Sequence, residues 1–582
     1  MIKSFVIAKG IDTIPLEKSL NHLNKISIKN KKHFTLINIS GFCIGIVSDE
    51  ASPDFHLKTE DRIEFTLGRI PGNPENWDRF IRVKISPDGV ELENDYAGSI
   101  PVFYSTRNGF IASSIEPCTF IGSSSSIDDL SRENVYGFMR YSHFIWDETA
   151  WRHILQTLPD SRYKFSSTGQ AITVEKIGSI KVTDKRIHFS DKKIASELFE
   201  LNHQLVTRSV KNSAEIILPL SSGYDSRMIF AVLASDRALA TKTRCFTYGS
   251  VGSIEVESGR RLAKLGNIEW HHIDLPCNFL KKSYLEEIAD VFGGSVHMHG
   301  MYQLEFIYEI NKKFGISSNT VFTSGFMTGV PAGQHNSLLN ITKYDEIISS
   351  AMGKFSQSNF WNSEDLIKLP FFKNKDYEDI AENRFRMAFD TLDGEPHQKA
   401  VILDVWTRQR NFISYYPRTI EWLYTIASPH MCSEYANFFL SLNKKHLHDR
   451  KAIELMFLHH YPGIAGIASN SKGISSIGST VENYMLFSAR ILNRLRLGFI
   501  LPRQYRLTPF DFNLKAVSNC GEDSFYPLFN DSENIKELVC LFGGKCLINQ
   551  LYAEATRGDL NSYAKILTIQ SIASDINYLI TV

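Results

Sequence analysis

The pattern of apolar and polar positions changes character along the chain. Up to about residue 180, apolar residues come in short runs: SGFCIGIVSD, IEFTLGRI, WDRFIRVKISPDGVELENDYAGS and VFYSTRNGFIASSI. These runs are rich in β-branched and aromatic residues and are broken by Pro-Asp-Gly and Arg-Asn-Gly, where glycine supplies a positive φ. The pattern predicts a strand-rich domain of hairpins over 1–185, with a polar loop at 123–129, a helix in SRENVYGFMRY, and a closing strand group, SRYKFSSTGQAITVEKI. The stretch at 183–193 reads as a linker.

From about 194 the spacing becomes helical in KKIASELFELNHQLVTRSVKN. Strand and helix then alternate: EIILPL, the turn SSGYDS, RMIFAVLASD, RCFTYG, ESGRRLAKLG, IEWHHIDL, and further on TVFTSG. That alternation predicts a parallel α/β sheet. Beyond about 380 the pattern is mainly helical. The expected fold class is α/β, with a first domain at 1–185, a second at 194–480 and a helical C-terminal extension at 481–582.

Length and composition narrow the functional classes. At 582 residues the chain exceeds one compact core. A 43% hydrophobic and 22% charged composition is that of a globular protein. Sixty-four basic residues balance sixty-four acidic ones, so no cationic surplus calls for nucleic acid. No apolar stretch approaches the roughly 20 residues that span a bilayer. The apolar run near the start is too short for a signal-peptide core. The eight cysteines form no CxxC pair and read as reduced thiols. A cytoplasmic protein is expected.

The chemistry concentrates in EIILPLSSGYDSRMIFAVLA, from Glu215 to Ala234. A buried strand ends, a small-residue turn follows and a helix opens, the arrangement in which parallel sheets bind ligands at strand carboxyl ends. Gly223 lets backbone approach an anion, Asp225 can hold magnesium bridging phosphates, and Ser221 and Ser226 can donate hydrogen bonds. The same residues also suit a plain helix cap.

SSGYDS resembles the SGGxDS pyrophosphate loop of the N-type ATP pyrophosphatases. The wider chain resembles the asparagine synthetase B-type family, whose relatives include β-lactam synthetases and lasso-peptide cyclases. NDYAGSIPVFYSTRNGFIASSIE is similar to the family's D-x-x-G-x-x-P-L-Y-Y and A-S-E segments, through Asp95, Gly98, Pro101, Tyr104, Ala112, Ser113 and Ser114. The loop follows, then FTYG and a helix with Leu262, Ala263, Leu265 and Gly266. TVFTSGFMTGVPAGQH stands where the family has S-G-x-G-x-D, and RTIEWLYTIASPHMCSEY resembles its E-x-R-x-P-F-L-D region, with Pro429 on the proline.

The resemblance implies an N-terminal-nucleophile-like sandwich followed by an ATP pyrophosphatase domain. It further implies an ATP-dependent amide ligase that adenylates a carboxylate, releases pyrophosphate and lets an amine displace AMP. ATP and Mg²⁺ are the implied cofactors. Ser221, Ser222, Gly223, Tyr224, Asp225 and Ser226 would form the pyrophosphate loop, with Asp225 on the metal. Leu220, Thr247, Ser324 and Gly325 would lie near the adenosine. Lys472 is the positional match to the family's catalytic lysine.

Five positions depart from the family pattern. Ile2 stands where glutamine-dependent members carry the nucleophilic cysteine, so no glutaminase activity is expected. Ser222 replaces a glycine of the loop. Gly329 replaces the second metal aspartate, and Phe326 falls where asparagine-forming enzymes have glutamate. Cys432 falls on the aspartate of P-F-L-D. The alternative reading is therefore a non-catalytic relative that binds a nucleotide or a partner as a scaffold. tRNA thiolation is disfavoured by the lack of paired reactive cysteines and of basic surplus. The acid, the amine, the oligomer and any peptide or protein partner stay open. Two other features also stay open. His297 and His299 are core residues or substrate contacts, and Arg408 and Arg410 are anion anchors or helix bridges.

Overall fold

The computed structural model describes residues 1–68, 79–170, 172–183, 186, 188–249, 251–273, 282–297, 304–315, 319–347, 361–373, 376–469, 478, 480–495, 497, 500, 533–557 and 559–581. The first domain holds two antiparallel six-stranded sheets. One contains β1 (Ile2–Lys9), β2 (His33–Ile39), β3 (Phe42–Ser48), β8 (Phe103–Ser105), β9 (Phe110–Ser113) and β10 (Leu155–Gln156), in the order β10-β8-β9-β1-β3-β2. The other contains β4 (Leu57–Lys58), β5 (Ile63–Leu67), β6 (Ile81–Ser86), β7 (Gly89–Asn94), β11 (Ser161–Ser166) and β12 (Ile172–Lys176), in the order β12-β11-β7-β6-β5-β4.

Period-two alternation explains their packing. Phe5, Ile7, Ile44 and Ile46 from the first sheet share a core with Phe65, Val83, Leu92 and Tyr163 from the second. On the outer side of β6, Arg82 and Lys84 pair with Glu93 and Glu91 of β7. The opposite face of the first sheet is covered by the helix Thr13–Lys29, whose Leu23 and Ile26 join Val6, Ala8 and Val47. Sequence pattern does not single out this helix among the strands around it. Ile2 is buried in the inter-sheet core.

The second domain centres on a parallel sheet of β13 (Glu215–Pro219), β14 (Thr243–Tyr248), β15 (Glu269–Ile273), β16 (Thr320–Thr323) and β17 (Thr425–Ala427). The first four strands lie where the hydrophobic pattern places them. β17 does not: three residues between helices carry too little alternation to read. The spatial order is β15-β14-β13-β16-β17. The chain thus winds outward from β13 to one side and then returns to its other side. The reversal lies between β13 and β16, where loops from neighbouring strands part and leave a crevice.

The C-terminal part is helical, as expected, but its last helix is no loose extension. Leu560–Thr581 runs against the first domain and the 293–295 turn. Asp575 accepts hydrogen bonds from the Trp151 indole (2.7 Å) and the Gly294 amide (2.8 Å). Thr568 bonds His297 Nε2 at 2.7 Å. His297 is therefore a satisfied core histidine, and His299 lies outside the described residues. Among the described residues, no helix is long and apolar enough to cross a membrane.

The domains meet over a buried polar interface built on the helical stretch 396–421. Residues 405–413 form a π-helix, wider than an α-helix and often found at functional sites. From it Arg410 reaches the carbonyls of Trp146 (2.8 Å) and Thr157, Asn411 reaches Phe144 O (2.8 Å), and the Trp406 indole reaches Tyr96 O (2.9 Å). The Asp95 motif receives this element. Asp95 accepts the amides of Ala97 and Ser99, closing a turn in which Gly98 has φ +58°. A Cβ on Gly98 would lie 3.0 Å from Arg410 Nε, so glycine makes room for the guanidinium.

Candidate functional site

A cavity of about 650 Å³ opens at the carboxyl ends of β13, β14 and β16, at the reversal of strand order. The loop after β13 contributes Leu220, Ser221, Asp225 and Ser226, and β14 contributes Thr247. The loop after β16 brings Ser324, Gly325, Phe326, Gly329 and, further along, Gln334 and His335. The helical stretch 405–421 closes the far side with Arg408, Gln409, Ile413, Tyr416 and Ile420. The expected site residues Leu220, Ser221, Asp225, Ser226, Thr247, Ser324 and Gly325 are thus brought together. Ser222, Gly223 and Tyr224 complete the turn behind them, and Lys472 lies outside the described residues.

The turn is ordered by its own side chains. Ser221 Oγ accepts the Gly223 amide (3.1 Å) and contacts Ser226 Oγ (3.0 Å), while Ser226 Oγ accepts the Ser221 amide (3.0 Å). Glu255 Oε2 accepts the Ser222 amide at 2.7 Å. These three amides already have acceptors, so an arriving anion must compete with hydroxyls and a carboxylate for them. The amides free of such caps begin at the helix Tyr224–Ser235 itself. Gly223 has φ −69°, so its role is clearance: a Cβ would crowd Ser221 Oγ at 3.2 Å. Ser222 takes no positive φ, which explains how serine replaces glycine there without strain.

Neighbours lock the turn from behind. Arg227 is fully buried and donates to Ser222 O (3.0 Å), Ile467 O (2.6 Å) and Ala468 O (3.0 Å). It ties the segment that precedes Lys472 to the loop. Tyr224 donates its hydroxyl to Glu454. Thr247 lies on the wall, but its hydroxyl donates to Leu220 O (2.6 Å) and accepts the Trp270 indole (2.9 Å), so it shapes the wall and offers little to a ligand.

Asp225 is the chemical centre. With 37% of its side-chain surface exposed, it faces the cavity from a deep, protein-walled position. Desolvation raises its carboxyl above the usual carboxylate range, opposed by Arg450 and His335. Among the described residues its Oδ1, itself shielded from solvent, has no hydrogen-bond partner, and Arg450 Nη1 lies 3.9 Å from it. Arg450 stacks on the Tyr224 ring at 4.4 Å from a left-handed backbone position, φ +61°. Gly325 lets the β16 loop close on this residue: a Cβ there would meet Asp225 Cβ at 3.0 Å.

Gly329 has a structural explanation. A Cβ built on it would lie 2.3 Å from Gln334 Oε1 and 3.1 Å from Asp225 Oδ1. The Gln334 amide thus fills the space beside Asp225 that a second carboxylate would need. One carboxylate oxygen without a partner, beside an amide oxygen, fits a magnesium ion that takes its remaining ligands from phosphates and water. Among the described residues no cluster of three or more His, Cys, Asp or Glu offers a self-sufficient metal cage. Cys432 stands at the start of the helix Ser433–Leu440, where its buried thiol donates to Pro429 O rather than capping the helix, and burial pushes its pKa up.

Gln334, His335, Asp404 and Arg450 carry no motif of their own and emerge only from the fold. His335 Nδ1 lies 3.1 Å from Asp404 Oδ2, which also accepts Gln409 Nε2 at 3.2 Å. The chain matches no protein-family profile, and no curated protein matches it.

Proposed function

We propose that this protein is an ATP-dependent amide ligase of the asparagine synthetase type that works without glutamine hydrolysis. One observation carries the reading. A cavity at the strand-order reversal of a parallel sheet is bordered by a serine-glycine turn and a helix start, and an Asp225 oxygen there has no hydrogen-bond partner among the described residues. Nucleotides bind at this kind of place in α/β sheets.

In this reading the substrate carboxylate attacks the α-phosphorus of ATP. The bond to pyrophosphate breaks, giving an acyl-adenylate. An amine then attacks the acyl carbon, the bond to AMP breaks, and the amine loses a proton. Bound Mg²⁺ would neutralise charge on the phosphates. Asp225 and the Gln334 amide would hold it. Arg450, 3.9 Å from Asp225 Oδ1, would stabilise negative charge on the leaving pyrophosphate. Ser221, Ser226 and the amides of the first helical turn would orient the phosphates, and the β16 loop at Ser324 and Gly325 would border the nucleoside. The first domain, whose Ile2 offers no nucleophile, would brace the π-helix.

The test is pyrophosphate release from ATP and Mg²⁺ with mixed pools of acids and amines. Release should require both nucleotide and acid and should fall to background in Asp225→Asn. The scaffold reading draws support from the three self-capped amides and from Gly329. It predicts ATP binding with no pyrophosphate release in any pool.

A further inference from the structure

We propose that Arg408 anchors a second, non-reacting carboxylate carried by one of the two substrates. The word substrate rests on the ligase reading; the anion site itself does not. Arg408 lines the far wall of the cavity and is only 8% exposed. Among the described residues, no carboxylate, carbonyl or ring pairs with its guanidinium. Its neighbour Arg410 is different, being fully buried and bonded to two first-domain carbonyls.

The π-helix explains the contrast. Asp404 precedes Arg408 by four residues, the spacing at which a regular helix would pair them. The widened turn separates that pair, and Asp404 instead engages His335 and Gln409. A largely buried cation is thereby left facing the cavity, an arrangement that lowers stability unless a ligand completes it.

Guanidinium geometry selects a planar or tetrahedral oxyanion held by two parallel bonds. Position selects between the two sources of such a group. The nucleotide turn comes from β13 with Arg450 beside it, whereas Arg408 shares its wall with Ile413, Tyr416 and Ile420. That wall suits an apolar body ending in a carboxylate. The reacting carboxylate must approach the phosphorus held at the turn, and pairing both its oxygens with a guanidinium would lower its nucleophilicity, so Arg408 suits a second carboxylate. An amino-acid or peptide-like acid, or an amino acid acting as the amine, has the required shape.

The experiment compares the full-length protein with Arg408→Gln and Arg408→Lys by thermal melting and calorimetry. N-acetyl-phenylalanine and its primary amide serve as probes, and ATP with Mg²⁺ as the phosphate arm. The proposal expects the acid, and not the amide, to bind the wild type. Arg408→Gln should weaken the acid about tenfold or more, Arg408→Lys should recover part of that loss, and ATP binding should not change. Without ligand, Arg408→Gln should melt no lower than wild type, since it removes an unpaired buried charge. The idea is overturned by equal binding of acid and amide, by no acid binding to the wild type, or by unchanged acid affinity in Arg408→Gln. Loss of ATP binding instead would assign Arg408 to the phosphates. Absence of pyrophosphate release with this binding pattern intact would count against the ligase reading alone.

Discussion

Asp225, Gly325 and Gly329 form a tight arrangement in which single atoms decide what fits. A methyl group at position 325 would press on Asp225 backbone and Cβ at about 3 Å, where neither side can yield easily. Overpacking of this kind costs about 1–3 kcal/mol. Gly325→Ala should therefore lower pyrophosphate release at least several-fold while the protein stays folded, as checked by circular dichroism beside the kinetics. Gly329→Asp meets a softer obstacle, the end of the Gln334 side chain. The single variant should lose activity, whereas Gly329→Asp with Gln334→Ala should accommodate the carboxylate. In the double variant the magnesium concentration for half-maximal activity should fall below that of the wild type, which a Mg²⁺ titration measures. The strand-turn-helix around Asp225 is visible in sequence because its parts are contiguous. Gln334 and Asp404 are not, since they reach the site across more than a hundred residues and belong to no local pattern.

Among the elements, the π-helix joins the two domains, and no sequence signal marks it. Its apolar spacing reads as an ordinary helix, which leaves Arg408 and Arg410 equivalent on paper. The structure separates them: Arg410 bridges to the first domain and Arg408 faces the cavity. Arg410→Met would strand the carbonyls of Trp146 and Thr157, and should destabilise the protein by about 2–4 kcal/mol in denaturant unfolding. The last helix offers a second test. Glu116 and Asp575 are buried within reach of each other, since one point above Gly293 lies 2.1 Å from Glu116 Oε2 and 2.3 Å from Asp575 Oδ1. Burial, and then repulsion from the like charge of Asp575, raises the Glu116 pKa well above the usual carboxylate range, while burial raises Asp575. A raised carboxyl binds its proton more tightly in the folded state. The stability it supplies is complete below the unfolded value and is lost as pH rises through the folded one. Thermal melts should thus show wild type losing stability as pH rises above the usual carboxylate range, and Glu116→Gln losing distinctly less.

The whole molecule sets the cavity of the parallel sheet beside a first domain whose Ile2 is buried between its two sheets. Fold class and the order of the two halves follow from periodicity, because long alternating and helical runs average over many residues. The docking of the halves and of the final helix does not, because ion pairs such as Arg384 with Glu148 (2.6 Å) and the buried Arg79 with Glu421 (3.2 Å) connect distant positions through tertiary geometry alone. The balance of charge is consistent with local anion binding by a turn, two arginines and a metal ion, without a broad cationic surface. The central claim is that a nucleotide binds at the carboxyl ends of β13 and β16. A crystal structure with a non-hydrolysable ATP analogue and Mg²⁺ tests it most directly. The analogue should place its phosphates on the turn from Ser221 to Ser226, with a metal ion between them and Asp225. An analogue bound elsewhere, or a cavity still empty at millimolar nucleotide, would contradict it.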